Sequence, residues 1–349
     1  MFTKKSQLNK SLKAFVDFYS NFKSRKILSA FFMKKHLKFV FAIIFGIIGL
    51  KGFAQQKNYK SEIGFNSEND SFLATGQDRY YTNGLFVNFR SALEVDTLKF
   101  RKKILSIDFG QQLFNAQTGA VPNITFVDRP FAAYLYAGAS MQYFDENENS
   151  AKLSVQIGTI GPRALGRQTQ EIIHETFGFY DVNGWQFQVN NEIGINVKLN
   201  SHTLLYRSKN KKTDFSMPLE ARIGNTFSGL KYGVLFRTGN INPLYHSVAT
   251  QSNVSAHIEN GVNKNEFYFF LKPSLDVVLY DATIKGGLFN EDKGPLTFKT
   301  KPLVFSQQVG LAYASQRWTF DFSAVFKTKE LKEMKQSNQY GSLNAYYRF

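Results

Sequence analysis

Residues 185–199 read W-Q-F-Q-V-N-N-E-I-G-I-N-V-K-L, and their pattern indicates the fold class. Apolar and polar residues alternate with a period of two, which is the spacing that separates the two faces of a β-strand. The apolar set is Phe187, Val189, Ile193, Ile195, Val197 and Leu199, and the polar set is Gln186, Gln188, Asn190, Glu192, Asn196 and Lys198. The stretch predicts a strand with one apolar face and one face rich in amides and charges.

The same alternation recurs along most of the chain beyond Gln55. We predict about twelve strands of roughly ten residues each. They cover residues 59–66, 84–93, 103–114, 131–144, 151–161, 186–199, 215–224, 230–238, 267–280, 303–313, 317–327 and 342–349. Residues 203–206 are ambiguous, which leaves a count of fourteen open.

Short, alternating, aromatic-rich segments predict an all-β fold, a transmembrane antiparallel β-barrel. The chain contains 36 Phe and 17 Tyr. In lipid every backbone polar group must find a partner within the protein, and a closed barrel achieves this without leaving an edge. The alternative is a soluble β-sandwich, which would hide its Ile/Val core and use shorter strands. The even strand count and short connectors such as residues 314–316 favour the barrel.

An even strand count returns both chain ends to the periplasm, so the connectors after odd-numbered strands face outward. These outer connectors include residues 68–81, 115–130 and 162–184. The third reads G-P-R-A-L-G-R-Q-T-Q-E-I-I-H-E-T-F-G from residue 161, and it predicts a short helix on which Gln170 and His174 share one face. Residues 240–266 conflict with this scheme, because they form a long connector on the periplasmic side.

The N-terminal residues resemble a targeting signal. A basic region begins at Met33 and precedes the apolar residues 39–50, a core that is too short to span a bilayer. The small residue Ala54 then suits cleavage before Gln55. We therefore divide the chain into residues 1–54, an extension plus signal peptide with its start at Met33, and residues 55–349, the barrel. A membrane-anchoring helix is the alternative for the apolar core.

Charge and cysteine content exclude some functions. Of the formal net charge of +16, residues 1–54 carry +10. The remainder is only mildly basic, so nucleic-acid binding loses most of its support. The chain has no cysteine, which excludes disulfides and thiolate sites.

Polar residues gather at the predicted outer ends of the strands. In chain order they are Asn69, Asp70, Thr82, Arg129, Gln170, His174 and Glu192. The oxygens of Asp70 and Asn69 are hard ligands suited to calcium, and a histidine can act as general base on water near neutral pH. Each residue also has an ordinary explanation as turn chemistry or a hydrogen-bonded surface group. The chain lacks the G-x-S-x-G nucleophile motif.

Several motifs follow one another in a specific order. They are N-D at 69–70, Y-T-N-G at 81–84, D-R-P-F-A-A-Y-L-Y at 128–136, Q-x-x-x-H at 170–174 and G-W-Q-x-Q-x-x-N-E at 184–192. In this order they resemble the lipid A 3′-O-deacylase family of outer-membrane barrels. The resemblance extends from about Ser61 to Glu192 in motif and to Phe349 in architecture.

The resemblance implies a hydrolase of the cell outer membrane. Its substrate would be the ester-linked acyloxyacyl group at the 3′ position of lipid A, the lipid part of lipopolysaccharide, and its activity would depend on Ca²⁺. By this resemblance His174 would activate water, as in a phospholipase A2-like mechanism. Asn69 and Asp70 would line the site and help to place calcium, with Thr82 and Gln170 beside them.

The chain departs from the family pattern in two places. The family has a carboxylate six residues after the histidine, where this chain has Tyr180. Glu175, Asp181 and Glu192 are candidate substitutes, and Glu192 is our third candidate calcium ligand.

The basic pair that holds lipid phosphate in the family is not evident within residues 115–127. Arg129, Arg163 and Arg167 are candidates for this substrate contact, because arginine suits bidentate phosphate binding.

Two other functions stay open. A non-enzymatic barrel, either a porin or a surface protein, predicts an open lumen and no clustering of Asn69, Asp70, Thr82 and His174. A phospholipase barrel would place a serine beside the histidine. In each case we expect a monomer surrounded by outer-membrane lipid.

Overall fold

The computed structural model describes residues 59–73, 78–95, 100–257 and 261–349. The predicted extension, the start at Met33 and the cleavage site after Ala54 lie outside the described residues.

Thirteen strands form one antiparallel sheet in this part of the chain. They are β1 (Ser61–Asn69), β2 (Tyr81–Leu93), β3 (Lys102–Phe114), β4 (Ala132–Phe144), β5 (Ser150–Ile160), β6 (Glu192–Arg207), β7 (Thr213–Gly224), β8 (Phe227–Gly233), β9 (Leu235–Asn240), β10 (Glu266–Asp281), β11 (Leu303–Ala314), β12 (Trp318–Lys327) and β13 (Asn338–Arg348). Two helices accompany them, α1 (Gly166–Phe177) and α2 (Ala282–Lys285). No helix within the described ranges is both long and apolar enough to cross a membrane.

The sheet closes on itself, because β13 pairs with β1 and β10 pairs with β11. β8 and β9 are two halves of one wall position, since each lies between β7 and β10 and only Val234 separates them. The barrel therefore has the predicted twelve wall positions, and a count of fourteen is wrong. The ambiguous residues 203–206 belong to the long strand β6.

The strands direct apolar side chains outward and polar side chains into the lumen. In β1, Ile63 and Phe65 are each 49% exposed, whereas Glu62 is 2% exposed. Glu62 pairs across the lumen face with Arg90 at 2.7 Å. Exposed apolar residues on the outside of a closed barrel form the surface that meets lipid, as the alternation predicts.

Residues 185–199 form a strand only in part. Residues 185–187 form a 3-10 turn, and the β6 ladder begins at Glu192. Trp185 is 3% exposed and packs edge-on against Phe131, with ring centroids 5.6 Å apart. Val189 is fully buried and donates its backbone N–H to the Phe131 carbonyl. The prediction of a strand from residue 186 is wrong, because these apolar residues pack into a loop cluster instead of facing lipid.

The long connector between β9 and β10 explains the conflict noted in the sequence. It lies at the periplasmic end and folds back between opposite walls of the barrel, and we call residues 241–257 the plug. Tyr245 and Val254 of the plug pack with side chains of β2, β3 and β4. Lys102 donates to the carbonyls of Tyr245 and Ser252 at 2.8 Å. On the opposite wall, buried Glu266 accepts from the backbone N–H groups of residues 242 and 248.

Candidate functional site

The outer connectors bring the five predicted catalytic residues, Asn69, Asp70, Thr82, Gln170 and His174, together at one lip of the barrel. Asn69 ends β1, Asp70 opens the 3-10 turn Asp70–Leu73, and Thr82 lies at the start of β2. The Thr82 hydroxyl lies 3.4 Å from Asp70 Oδ1. Asn69 Nδ2 donates to Asn83 Oδ1 at 2.7 Å, which joins the ends of β1 and β2.

Helix α1 supplies the other two predicted residues. Its buried side is formed by Gly166, Gln170 and His174, which are spaced by one helical turn each. A Cβ on Gly166 would lie 2.4 Å from the Trp185 ring and 2.5 Å from Ala133. This close approach seats the helix against the barrel lip and directs His174 toward the β1–β2 connector.

Asp78, which was not among the predicted site residues, links helix α1 to the start of β2. Its Oδ2 lies 2.8 Å from His174 Nε2, and its Oδ1 accepts from the Thr82 hydroxyl at 3.0 Å. The Tyr180 hydroxyl also donates to Asp78. Burial acts to raise the pKa of Asp78, but the hydrogen bonds from His174, Tyr180 and Thr82 outweigh it and hold this pKa below its usual value. The sequence feature that could have identified Asp78 as a site residue is its position two residues before the motif Y-Y-T-N-G.

Both ring nitrogens of His174 face oxygen acceptors. Nδ1 lies 2.6 Å from the Tyr180 carbonyl, and Nε2 faces Asp78. Because a carbonyl and an ionised carboxylate can only accept, both nitrogens carry a hydrogen while these two contacts are made. When the ring loses a proton, Nδ1 keeps its hydrogen on the carbonyl and Nε2 becomes the basic nitrogen. Burial acts to lower the pKa of His174, but Asp78 and the Tyr180 carbonyl together raise this pKa above its usual value. The surroundings therefore stabilise the imidazolium that forms when Nε2 accepts a proton.

Tyr180 occupies the position at which the resemblance implies a carboxylate. Its hydroxyl accepts from the Gly119 N–H at 3.2 Å, and its ring lies edge-on to His174 with centroids 4.8 Å apart. Burial and the neighbouring Asp78 raise the pKa of Tyr180, which keeps the phenol protonated. Glu175 and Asp181 are exposed. The acid in contact with His174 is Asp78, which reaches it from another connector.

Asp70 is 2% exposed and accepts from the backbone N–H of Arg79 at 2.8 Å. Burial, aided by the charge of Asp78, raises the pKa of Asp70 to about 8. A buried carboxylate of this kind is stabilised in its charged form by a hard cation. Asp70, the Thr82 hydroxyl and the Asn69 amide oxygen have the donor chemistry that suits calcium.

No group of three or more histidine, cysteine or carboxylate side chains in the described ranges is arranged to hold a metal. A calcium ion here would therefore depend on hydroxyl and amide oxygens as well as on Asp70. Glu192, the third predicted ligand, is engaged elsewhere. It accepts from the backbone N–H groups of Leu288, Phe289 and Asn290 at 2.8 to 2.9 Å. Because this ring of N–H donors suits an anion and repels a cation, we withdraw Glu192 as a ligand.

Gln170 forms part of a buried polar pocket beside His174. Its Oε1 accepts from Trp185 Nε1 at 2.8 Å, while its Nε2 has no hydrogen-bond partner among the described residues. Asn115 is fully buried, and in the same part of the chain neither of its side-chain polar atoms has a partner. A Cβ on Gly119 would lie 2.6 Å from Tyr180 Oη, 2.9 Å from Gln170 Nε2 and 3.1 Å from Asn115 Nδ2. Glycine at 119 therefore keeps a small polar space open.

The three predicted phosphate-binding arginines lie in different surroundings. Arg129 is fully buried, donates to the Thr283 hydroxyl at 2.9 Å and lies 3.6 Å from Glu330. Arg129 therefore joins two connectors, whereas we expected it to contact lipid phosphate. Arg163 and Arg167 are exposed on the outer connector, and Arg167 pairs with Glu171 at 2.7 Å.

Apolar side chains surround the site on all three connectors. The exposed members are Phe72, Ile124, Phe126, Leu165, Ile172, Phe177 and Phe179, each at least 38% exposed. Phe179 lies edge-on to His174 with ring centroids 5.5 Å apart, so exposed apolar surface that can contact acyl chains adjoins the histidine.

The family model for the outer membrane protein LpxR matches residues 39–349. LpxR from Salmonella typhimurium has a TM-score of 0.67 and 20% identity, with 82% of this chain and 100% of that chain covered. The β-domain of the Bordetella autotransporter BrkA has a TM-score of 0.45 and 10% identity, with 84% and 99% covered. No curated protein matches the chain in sequence. Since the family model spans nearly all of a closed outer-membrane barrel, the chain belongs to the outer membrane protein LpxR family.

Proposed function

We propose that this barrel is a carboxylic ester hydrolase that removes the 3′-linked acyloxyacyl group from lipid A in the outer leaflet. Membership of the LpxR family supports the substrate class. The observation that carries the chemistry is the convergence of His174, Asp78 and Thr82 from separate connectors at one lip. Lipid A lies in the outer leaflet, so its ester can reach such a lip directly from the lipid beside the wall.

The reaction needs a base to take a proton from water while the water oxygen bonds to the ester carbon. We assign this role to His174 Nε2 once the ring has lost a proton, because Nδ1 then keeps the hydrogen bonded to the Tyr180 carbonyl. Asp78 stabilises the resulting imidazolium. The imidazolium then returns its proton to the sugar oxygen as the carbon–oxygen bond breaks, which yields a free acid and a sugar hydroxyl.

The ester carbonyl oxygen gains negative charge during the attack and requires stabilisation. Asp70, Asn69 and Thr82 would hold calcium, which when bound supplies positive charge to such an oxygen. Among the protein's own groups, the unpartnered Nε2 of Gln170 is a hydrogen-bond donor close to the Tyr180 hydroxyl and Gly119. We assign Gln170 to positioning the reacting groups.

The test measures acyl release from lipid A by purified, refolded protein. We expect His174→Ala to remain a folded barrel and to lose release by at least about 100-fold, the scale of general-base catalysis. Excess calcium chelator should suppress release by the wild type, and added calcium should restore it. Wild-type release by His174→Ala would remove His174 from the mechanism, and full activity in chelator would exclude calcium.

The same assay separates the other functions. A phospholipase would release acyl groups from glycerophospholipid, whereas within the described residues the hydrogen-bond partners of His174 are Asp78 and the Tyr180 carbonyl, with no serine. A porin requires an open lumen, and the plug occupies the periplasmic end. Because one chain closes the sheet, we propose that the protein works as a monomer.

A further inference from the structure

A second concave surface at the outer end has no assigned role. This groove has a volume of about 560 Å³ and lies between the β10–β11 and β12–β13 connectors. Its lining includes Tyr280, Lys285, Lys293, Phe298, Lys299 and Glu333. We call it the lysine groove.

Positive charge dominates the lysine groove. Lys285, Lys293 and Lys299 form no ion pair with any carboxylate among the described residues. Lys293 donates to the Gly287 carbonyl at 3.1 Å, and Lys285 Nζ lies 5.1 Å from the centre of the Tyr280 ring. The groove is lined by three lysine ammonium groups and one carboxylate, that of Glu333. This excess of positive charge creates a potential that attracts an anion.

Aromatic surface lies next to these charges. Tyr280 and Phe298 line the same groove, and the Tyr280 hydroxyl is held by the Gly286 carbonyl at 2.8 Å. Rings beside ammonium groups suit a ligand that carries both apolar carbon faces and anionic groups. A phosphorylated sugar has this combination, whereas a simple metal or an apolar peptide does not.

The groove is packed against the segment that carries the ester site. Phe298 contacts a buried cluster of Tyr80, Ile284, Leu331 and Met334. Tyr80 lies in the chain between Asp78 and Thr82, and its hydroxyl accepts from the backbone N–H of residue 335 at 3.0 Å. Packed side chains therefore connect the lysine groove to the connector that carries Asp78 and Thr82.

We propose that the lysine groove binds phosphate on the sugar head of lipopolysaccharide while the ester lies at His174. Lysine binds phosphate as a compact point charge, so it does not need the planar, bidentate geometry that arginine uses. The sugar assignment rests on the proposed function, whereas the preference for an anion rests on the groove's own charge. The groove lies on different connectors from Arg163 and Arg167.

The test measures binding in the His174→Ala background, so that ligand is not consumed. The groove variant is Lys285→Gln, Lys293→Gln and Lys299→Gln together. The matched control, Lys329→Gln, Lys332→Gln and Lys335→Gln, removes equal charge from the β12–β13 connector at side chains that do not line the groove. The probes are bisphosphorylated lipid A, dephosphorylated lipid A, phosphatidylglycerol vesicles and inorganic phosphate as competitor.

We expect the groove variant to bind bisphosphorylated lipid A at least about tenfold more weakly, while the control changes little. Dephosphorylated lipid A should bind all three proteins alike. Equal weakening by both variants, or none by the groove variant, would overturn the proposal. Equal affinity for phosphatidylglycerol would overturn the sugar assignment, and full displacement by dilute inorganic phosphate would indicate a free-phosphate site instead.

The two proposals can fail separately. If the wild-type protein releases no acyl group but the groove variant still loses lipid A binding, the groove stands and the deacylase assignment falls. If acyl release is confirmed and the groove variant binds like its parent, only the groove proposal falls.

Discussion

At the scale of single residues, the Asp78–His174 contact controls the chemistry that we propose. His174 must lose a proton before it can accept one from water, and its raised pKa delays that loss to higher pH. The neutral base therefore becomes populated only as pH rises through this raised pKa, so wild-type activity should increase along an acidic limb that lies above the usual range for histidine.

Asp78→Asn should shift this acidic limb to lower pH, because it removes the charge that raises the pKa of His174. It should also lower the maximal rate by roughly 100-fold, since the imidazolium loses its counter-charge. The measurement is kcat/KM against pH, with the exposed Asp181→Asn as control. An acidic limb at the wild-type pH in Asp78→Asn would show that Asp78 does not set the pKa of His174.

Gly119→Ala tests the polar pocket. The added Cβ would lie 2.6 Å from Tyr180 Oη and 2.9 Å from Gln170 Nε2, so one of these groups must move. Because Tyr180 contacts both His174 and Asp78, we expect kcat to fall by about tenfold. Heat-modifiability on gels should show an intact barrel, and unchanged kcat would mean that the pocket is not coupled to the base.

At the scale of elements, the connectors are held in place by buried or multiply bonded side chains. Glu192 at the start of β6 fixes residues 288–290, and Arg129 before β4 holds α2 through Thr283. Both residues were candidates for contacts with ligands on sequence grounds. A charged residue at a strand end serves binding and loop anchoring equally well, and only its partners distinguish the two roles.

Glu192→Ala should release the tip of the β10–β11 connector. Charge-assisted hydrogen bonds contribute about 1.5–3 kcal/mol each, so loss of three should increase hydrogen exchange of the amides at 288–290 by at least about tenfold. The exposed Glu291→Ala is the matched control and should leave exchange unchanged. Unaltered protection in Glu192→Ala would show that other contacts hold the tip.

At the scale of the whole molecule, the plug distinguishes this barrel from a channel. Arg237 lies 2.6 Å from Asp214 and 3.4 Å from Glu266, and it donates to Ser247 of the plug at 2.6 Å. All four side chains are fully buried. Buried polar networks whose members are hydrogen-bonded to one another rigidify a structure, so this network holds the plug in the lumen.

In planar bilayers the wild-type barrel should show no stepwise ion conductance. Replacing residues 243–262 with a short Gly-Ser connector should open the periplasmic end and give discrete conductance steps. Lipid A deacylation should persist in this variant, because the site lies at the opposite end. Equal currents in both proteins would show that the plug does not control passage through the lumen.

The barrel, its twelve wall positions and the short outer helix follow from patterning, because a two-residue period over about ten residues specifies a face and a lipid boundary. The grouping of Asn69, Asp70, Thr82, Gln170 and His174 at one end of the barrel could be predicted, because they lie in recognisable motifs at strand ends. Their catalytic and calcium-binding roles stay predictions. Glu192 and Arg129 were misassigned, since sequence does not show which neighbours a charged side chain meets.

Local pattern acts over a few residues, so it established the strands, their faces and the end of the barrel at which polar residues collect. The pairing of Asp78 with His174, the plug inside the lumen and the lysine groove all join segments that lie far apart in the chain. Such contacts arise only when barrel closure sets the relative positions of the connectors, and this is why the acid beside the histidine and the plug in the lumen became evident only in the folded protein.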